Sequence, residues 1–382
     1  MQWLVSRTKG DLLIWLIVFL LSIFSLLMVY SSTGTIASRH SGNMEYYLMK
    51  HLILMGFGLG LMYFCHKVNY KYYSRAAQIL LWVSIPLLMV TYVLGAHVNN
   101  AQRWLRLPGI DLTFQTSDLA KLALIMYVAR MLSKKQEFIN DFRKATLPIV
   151  GPVLLVCGLI APSNLSTAAV LFSTCMLLMF IGRINIRHIL LIGLACLIGV
   201  ALFIGISALR KGGAGRVMTW VSRIENFASS DGKSSFQSQH AKMAVATGGL
   251  FGKGPGNSMQ KNTLPECFSD FIYAITIEEY GAIGGIFLIF LYLLLFYRSI
   301  RIVLKSPRAF GALLAVGLSL SLVFQALIMM GVNVGIFPVT GLNLPQVSMG
   351  GTSLLFTSIA LGIILSVTRD IEENEKLEIE TA

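Results

Sequence analysis

Two carboxylates four residues apart, Glu266 and Asp270, stand where a glycine-rich polar stretch gives way to a strongly apolar run, within residues 246–285. Such a junction puts an acid at a lipid–water boundary. Partial desolvation raises a carboxyl pKa there and nearby cations lower it, so the group can be tuned to take a proton from a hydroxyl. Asp270 is the candidate general base. Its plainer reading is a helix N-cap, with Ser269 or Asp270 accepting a backbone N–H of the helix that follows. The two readings are compatible, because a cap also fixes the carboxylate. Glu266 reads either as a solvated loop acid or as a partner that orients Asp270 or shares a metal ion with it.

Other charges recur at suggestive spacings. Asp118 and Lys121 are three apart and share a helix face, acid nearer the N-terminus. They form an internal ion pair, or Lys121 turns to a cavity and neutralises a phosphate. Arg103 and Arg106 flank Trp104, as in an interfacial anchor or an anion clamp. Glu278 and Glu279 fall about two turns into an apolar helix, where ionisable groups are expensive, and are expected to be structural anchors. The run GGLFGKGPGNS, residues 248–258, is neither a Walker A nor a dinucleotide fingerprint; its glycines either make turns or bring backbone close to a phosphate. Residues 331–353 carry no charge yet are rich in Gly, Pro and hydroxyls. They are expected to be irregular backbone packed at membrane depth. Six histidines and five cysteines show no zinc spacing, no C-x-x-C pair and no HExxH, which disfavours zinc chemistry, proteolysis and a disulfide framework.

The elements that must position these groups are membrane helices. The 382 residues are 55% hydrophobic and only 13% charged, with a mean hydropathy of +0.71. A soluble domain carries about 25% charged residues. The net charge of +13 is then chiefly topological rather than a sign of nucleic acid, and no nucleic-acid partner is expected. The predicted fold is an all-α polytopic membrane protein of about ten spans: 11–31, 50–65, 76–97, 117–133, 146–161, 165–182, 188–208, 270–297, 310–331 and 349–368. The first is expected to be retained, and the fifth and sixth to be separate or one broken span. Lys and Arg distribution places both termini in the cytoplasm, a long extracytoplasmic loop at 209–269 between helices seven and eight, and a flexible acidic cytoplasmic tail at 370–382. On this topology residues 99–115, the start of span four, the long loop and the 331–353 segment meet on the outer face. Residues 231–243 are expected to include an amphipathic helix.

GGLFGKGPGNSMQK followed by LPECFSDFIYAITIEEYG resembles the signature of the SEDS family (shape, elongation, division, sporulation), ten-span peptidoglycan glycosyltransferases. NNAQRWLRL, FQTSDLAKLALIMYVA, PSNLSTA and NVGIFPVTGLNLPQVSMGGTS extend the resemblance over nearly the whole chain, closer to the division branch than to the elongation branch. The resemblance implies polymerisation of lipid II into undecaprenyl-linked glycan strands at the outer face of the bacterial cytoplasmic membrane. It implies a class B penicillin-binding protein as transpeptidase partner, and other divisome membrane proteins. The family's essential Asp matches Asp270. Arg103, Lys121, Lys253, Glu266 and Ser348 become candidate contacts to lipid II or its pyrophosphate, with Asp118, Glu278 and Glu279 in support. No cofactor is required, and a divalent cation, Mg or Mn, is compatible. Cys267-Phe268-Ser269 replaces the family's small residue, His and Thr; Thr116, Asp118 and Met349 also depart from its pattern. A lipid flippase, which would line a path at the bilayer midplane with charge, and a non-catalytic scaffold are the rival functions.

Overall fold

Long apolar runs with few interior charges satisfy their backbone groups within themselves, and the chain does so repeatedly. The computed structural model describes residues 9–39, 44–98, 101–106, 113–209, 220, 223, 227 and 236–381. Helices α1 (Leu12–Arg39), α2 (Met44–Lys67) and α3 (Tyr70–Leu94) lead into a small sheet of β1 (Ala96–Val98), β2 (Ala101–Arg106) and β3 (Thr113–Gln115). There follow α4 (Thr116–Lys134), α5 (Leu147–Ile160), α6 (Leu165–Ile181), α7 (Ile186–Leu209), α8 (Phe236–Gly248), α9 (Ile272–Lys305), α10 (Ala309–Asn333) and α11 (Thr352–Thr381). Each of the ten predicted segments overlaps one of these helices.

Among the described residues seven segments are long and apolar enough to cross a membrane: α1, α2, α3, α5 with the turn before it, α9, α10 and most of α11. Helices α6 and α7 are shorter apolar helices. Helix α4 carries Asp118, Lys121, Arg130 and Lys134 and is mostly buried. It packs against α3, α5, α6, α10 and α11, so Asp118 and Lys121 lie inside the helix cluster while Lys134 is exposed at its end. Close packing comes from small residues. A Cβ on Gly362 of α11 would meet the Met62 carbonyl of α2 at 2.4 Å, and one on Gly58 would meet Ser358 Oγ at 2.8 Å.

The structure refines these expectations. The 99–115 region is not all loop. β2 pairs antiparallel with both neighbours, Trp104 standing opposite Ala96 on one side and Gln115 on the other. Spans five and six are two helices, separated at 161–164, with the Asn164 side chain capping Thr167 N at 3.2 Å. The acidic tail is not a flexible end: α11 continues through it to Thr381. Its acids find fixed partners, Glu372 accepting Gly10 N at 2.9 Å, Glu373 pairing with Lys9 at 3.0 Å and Glu375 with Lys305 at 3.0 Å. The helix expected within 231–243 is α8, displaced toward its C-terminal side.

Candidate active site

Asp270 ends a turn whose shape is set by Glu266. The Glu266 carbonyl accepts Ser269 N at 3.1 Å and Asp270 N at 3.0 Å, while Glu266 sits at φ +58° with its side chain exposed. A non-glycine residue there costs about 1–3 kcal/mol, so the neighbours must enforce it. Glu266 therefore orients Asp270 through its backbone.

The N-cap reading is corrected. Helix α9 begins at Ile272, its cap position is Phe271, and no side chain of its own caps it. The cap is supplied from α10. The fully buried Asn333 accepts Ala274 N through Oδ1 at 3.0 Å, and its Nδ2 donates to the carbonyls of Asp270 at 3.0 Å and Met329 at 2.9 Å. Sequence reasoning missed Asn333; its only signal is a polar residue closing an apolar run.

The carboxylate of Asp270 is half-buried and Oδ1 accepts the Ser269 hydroxyl at 2.9 Å. On its other side a Cβ at Gly341, which has φ +68°, would come within 3.3 Å of Oδ2. Thus the uncharged segment lies against the candidate base. Residues 334–351 form neither helix nor strand, and Leu342, Leu344, Gln346, Val347 and Ser348 are buried. Protein covers this irregular backbone. Ser25 of α1 donates to Val347 O at 2.8 Å, and Tyr292 of α9 donates to Pro345 O.

Ser348, expected to contact the substrate, is engaged inside the protein. Buried, it accepts Leu344 N at 2.8 Å and donates to Ser269 O at 2.7 Å, while Met349 N donates to Phe268 O at 3.1 Å. Lys253 is likewise engaged inside the protein, 2.7 Å from the Glu278 carboxylate. Glu278, fully buried, also accepts Ser258 Oγ, Thr247 Oγ at 3.3 Å, and the N–H groups of Met259 and Gln260 at 3.2 Å. Glu279 accepts Ser31 of α1.

The glycine loop is not a phosphate cradle, because its backbone is spent on α9. Gly281 interrupts that helix at φ 71°, ψ −174°. Lys253 N and Gly254 N donate to the freed carbonyls of Glu278 and Glu279 at 2.9 Å, and Ala282 N donates to Gly249 O at 2.9 Å.

Asp118 and Lys121 pair at 2.7 Å, without hydrogen-bond alignment, so that both Asp118 oxygens remain unmatched by a hydrogen bond. They line a cavity of about 40 Å³ with Gln325, Ser353 and Thr357. Lys121 donates to Gln325 Oε1 at 3.2 Å, and Gln325 Nε2 donates to Asn343 O at 2.8 Å. Asn343 is two residues from Gly341, so one irregular segment links the pair to Asp270. Arg103 is on β2, and its side chain lies outside the described residues. Two cations that the sequence did not single out border the segment: Lys242, whose side chain lies within 2.4 Å of where a Gly335 Cβ would stand, and Arg223, donating to Val339 O at 3.2 Å. Among the described residues no three His, Cys, Asp or Glu side chains gather as metal ligands.

The chain is similar to known proteins along almost its whole length. A model of the FtsW/RodA/SpoVE cell cycle protein family matches residues 11–373. Stage V sporulation protein E of Bacillus subtilis is 33% identical over 95% of this chain and 98% of its own length. A probable peptidoglycan glycosyltransferase FtsW of Aromatoleum aromaticum is 34% identical over 96% and 90%. Among solved structures, a chain from work on polymerization and crosslinking by a peptidoglycan synthase complex superposes with a TM-score of 0.74 at 26% identity, covering 95% of this chain and 98% of that one. Thermus thermophilus RodA gives 0.68 at 26%, covering 94% and 97%. With a family model spanning almost its entire length and relatives above 30% identity end to end, this chain belongs to the FtsW/RodA/SpoVE family, the SEDS proteins.

Proposed function

We propose that this chain is a peptidoglycan glycosyltransferase that polymerises lipid II at the outer face of the bacterial cytoplasmic membrane, with both termini inside. The observation that carries the reading is Asp270: an accessible carboxylate on a turn clasped by α10 and by the 334–351 segment, in a chain whose full-length relatives bear the glycosyltransferase name.

In this reading Asp270 takes the proton from the 4-hydroxyl of the acceptor's N-acetylglucosamine. That oxygen bonds to the anomeric carbon of the donor's muramyl sugar, the bond to the pyrophosphate breaks, configuration inverts, and undecaprenyl pyrophosphate leaves. The growing negative charge needs fixed cations in a site that excludes water. Lys242 and Arg223 beside the 335–339 backbone join Lys121 and Arg103 as candidates. The resemblance to the division branch and the FtsW-named relatives favour septal synthesis over elongation. The solved complex of a related chain favours a class B penicillin-binding protein as partner, with other divisome membrane proteins around it.

Purified protein with its partner, supplied with lipid II, tests this. Asp270→Asn is expected to lower polymerisation by about 10²–10⁴-fold, the usual contribution of a general base. Full activity in that variant removes the assignment. A chelator arm decides divalent-ion dependence, and glycan product measured against lipid translocation in liposomes separates polymerase from flippase.

A further inference from the structure

Leu250 and Phe251 belong to the glycine loop, in a connection whose composition reads as water-facing, yet they are 69% and 80% exposed. Their depth says what covers them. Arg298, paired at 2.6 Å with Asp11 just before α1, marks one polar boundary of α9, and Arg301 and Lys305 follow it. Ile283 lies fifteen residues back, about 22 Å along a helix rising ~1.5 Å per residue. The apolar layer of a bilayer is about 30 Å thick. Ile283 N donates to Leu250 O at 3.4 Å, so the loop attaches to α9 inside that thickness.

The exposure pattern of α9 agrees. Residues 272–279 are all buried, and the outward stripe begins at Ile283 and continues through Ile286, Phe290, Leu293 and Tyr297. Leu250 and Phe251 extend that lipid-facing stripe past the break at Gly281. Part of the loop backbone is also paired within the protein. Gly252 N donates to Gly248 O at 2.9 Å, Lys253 N and Gly254 N donate to α9, and the Gly249 and Leu250 carbonyls accept from it. Irregular backbone at membrane depth is tolerated only when satisfied in this way.

We propose that Leu250 and Phe251 form a wedge inserted among the acyl chains of the bilayer, so that the glycine loop is a short re-entrant segment fixing the depth of the long connection and of the turn bearing Asp270. The occupant is bulk lipid, and the inference does not rest on the catalytic reading.

The test places a tryptophan at the tip. Full-length Phe251→Trp in nanodiscs, compared with the unmodified chain, is expected to show added emission that brominated phosphatidylcholine quenches more strongly than iodide. Leu250→Trp makes the same measurement if the first variant does not fold. Stronger quenching by iodide overturns the proposal. Bromolipid quenching that disappears on adding the partner transpeptidase also overturns it, because the face then belongs to a protein.

Discussion

Asn333 and Asp270, 63 residues apart, are joined by a hydrogen bond of 3.0 Å from a buried side-chain amide to a main-chain carbonyl. The same amide receives Ala274 N, so one residue of α10 both caps α9 and holds the turn that precedes it. Asn333→Asp replaces the donor by an oxygen facing two carbonyls; Asn333→Leu removes the acceptor for Ala274 N–H and the amide donor to Asp270 C=O. A buried polar group left unsatisfied costs about 1–3 kcal/mol. Both variants are expected to lower the thermal midpoint and to reduce kcat for glycan synthesis more than they raise KM. The pair of measurements checks this; a stability loss with unchanged kcat removes the positioning role.

Gly281 predicts a second effect. A Cβ there would stand 2.1 Å from Leu250 O, and one on Gly252 would stand 2.2 Å from Glu279 O, both residues having positive φ. Backbone atoms cannot give way as a side-chain tip can. Strain of about 1–3 kcal/mol for the dihedral adds to a similar cost of overpacking. Gly281→Ala and Gly252→Ala are expected to be among the most destabilising single substitutions in the protein, whereas Gly256→Ala, which has open space around its Cβ, is expected to cost only its dihedral strain. Melting curves in detergent rank the three.

How much of this was legible depends on sequence distance. Apolar runs announce helices locally, which is why all ten predicted segments meet one. Asp270 was visible because an acid at the edge of such a run is conspicuous. Asn333 was not, since its meaning lies in a partner 63 residues earlier. Gly281 reads as one more small residue in a membrane helix until the loop from 248–254 is seen entering the break. The strands are only three to six residues long, too short for an alternating pattern to announce them. The acidic tail looks solvated because Lys9, Gly10 and Lys305, which order it, are remote in the chain.

Cys267 reports on the packing of the Asp270 turn. It is buried and its thiol donates to Ser32 O of α1 at 3.6 Å. Burial, the largest influence, pushes its pKa up to about 11. At pH 8 only ~0.1% is then thiolate, the reactive form. Alkylation by a water-soluble maleimide is expected to be very slow at pH 8 and to speed up as pH rises toward 11. Asn333→Leu is expected to accelerate it at fixed pH by loosening the turn. Fast modification of the intact protein at pH 7 contradicts this packing.

Lys253 and Glu278 form a charge pair at 2.7 Å in which the acid is fully buried, with further donors around it, and the ammonium is partly exposed. Removing one member of such a pair usually costs about 3–5 kcal/mol, since the other charge is stranded. Lys253→Met leaves the carboxylate with the Ser258, Thr247, Met259 and Gln260 donors, so its cost is expected near the low end of that range. Glu278→Gln strands the ammonium, but Lys253 is about a quarter exposed and can turn to water. Glu278→Leu also abandons two backbone N–H groups and is expected to cost the most. A double-mutant cycle on Lys253→Met and Glu278→Gln isolates the charge term. Its coupling is expected to be favourable and at least about 1 kcal/mol, above the range of an exposed pair. Coupling near zero means that the loop is held by the glycine backbone alone.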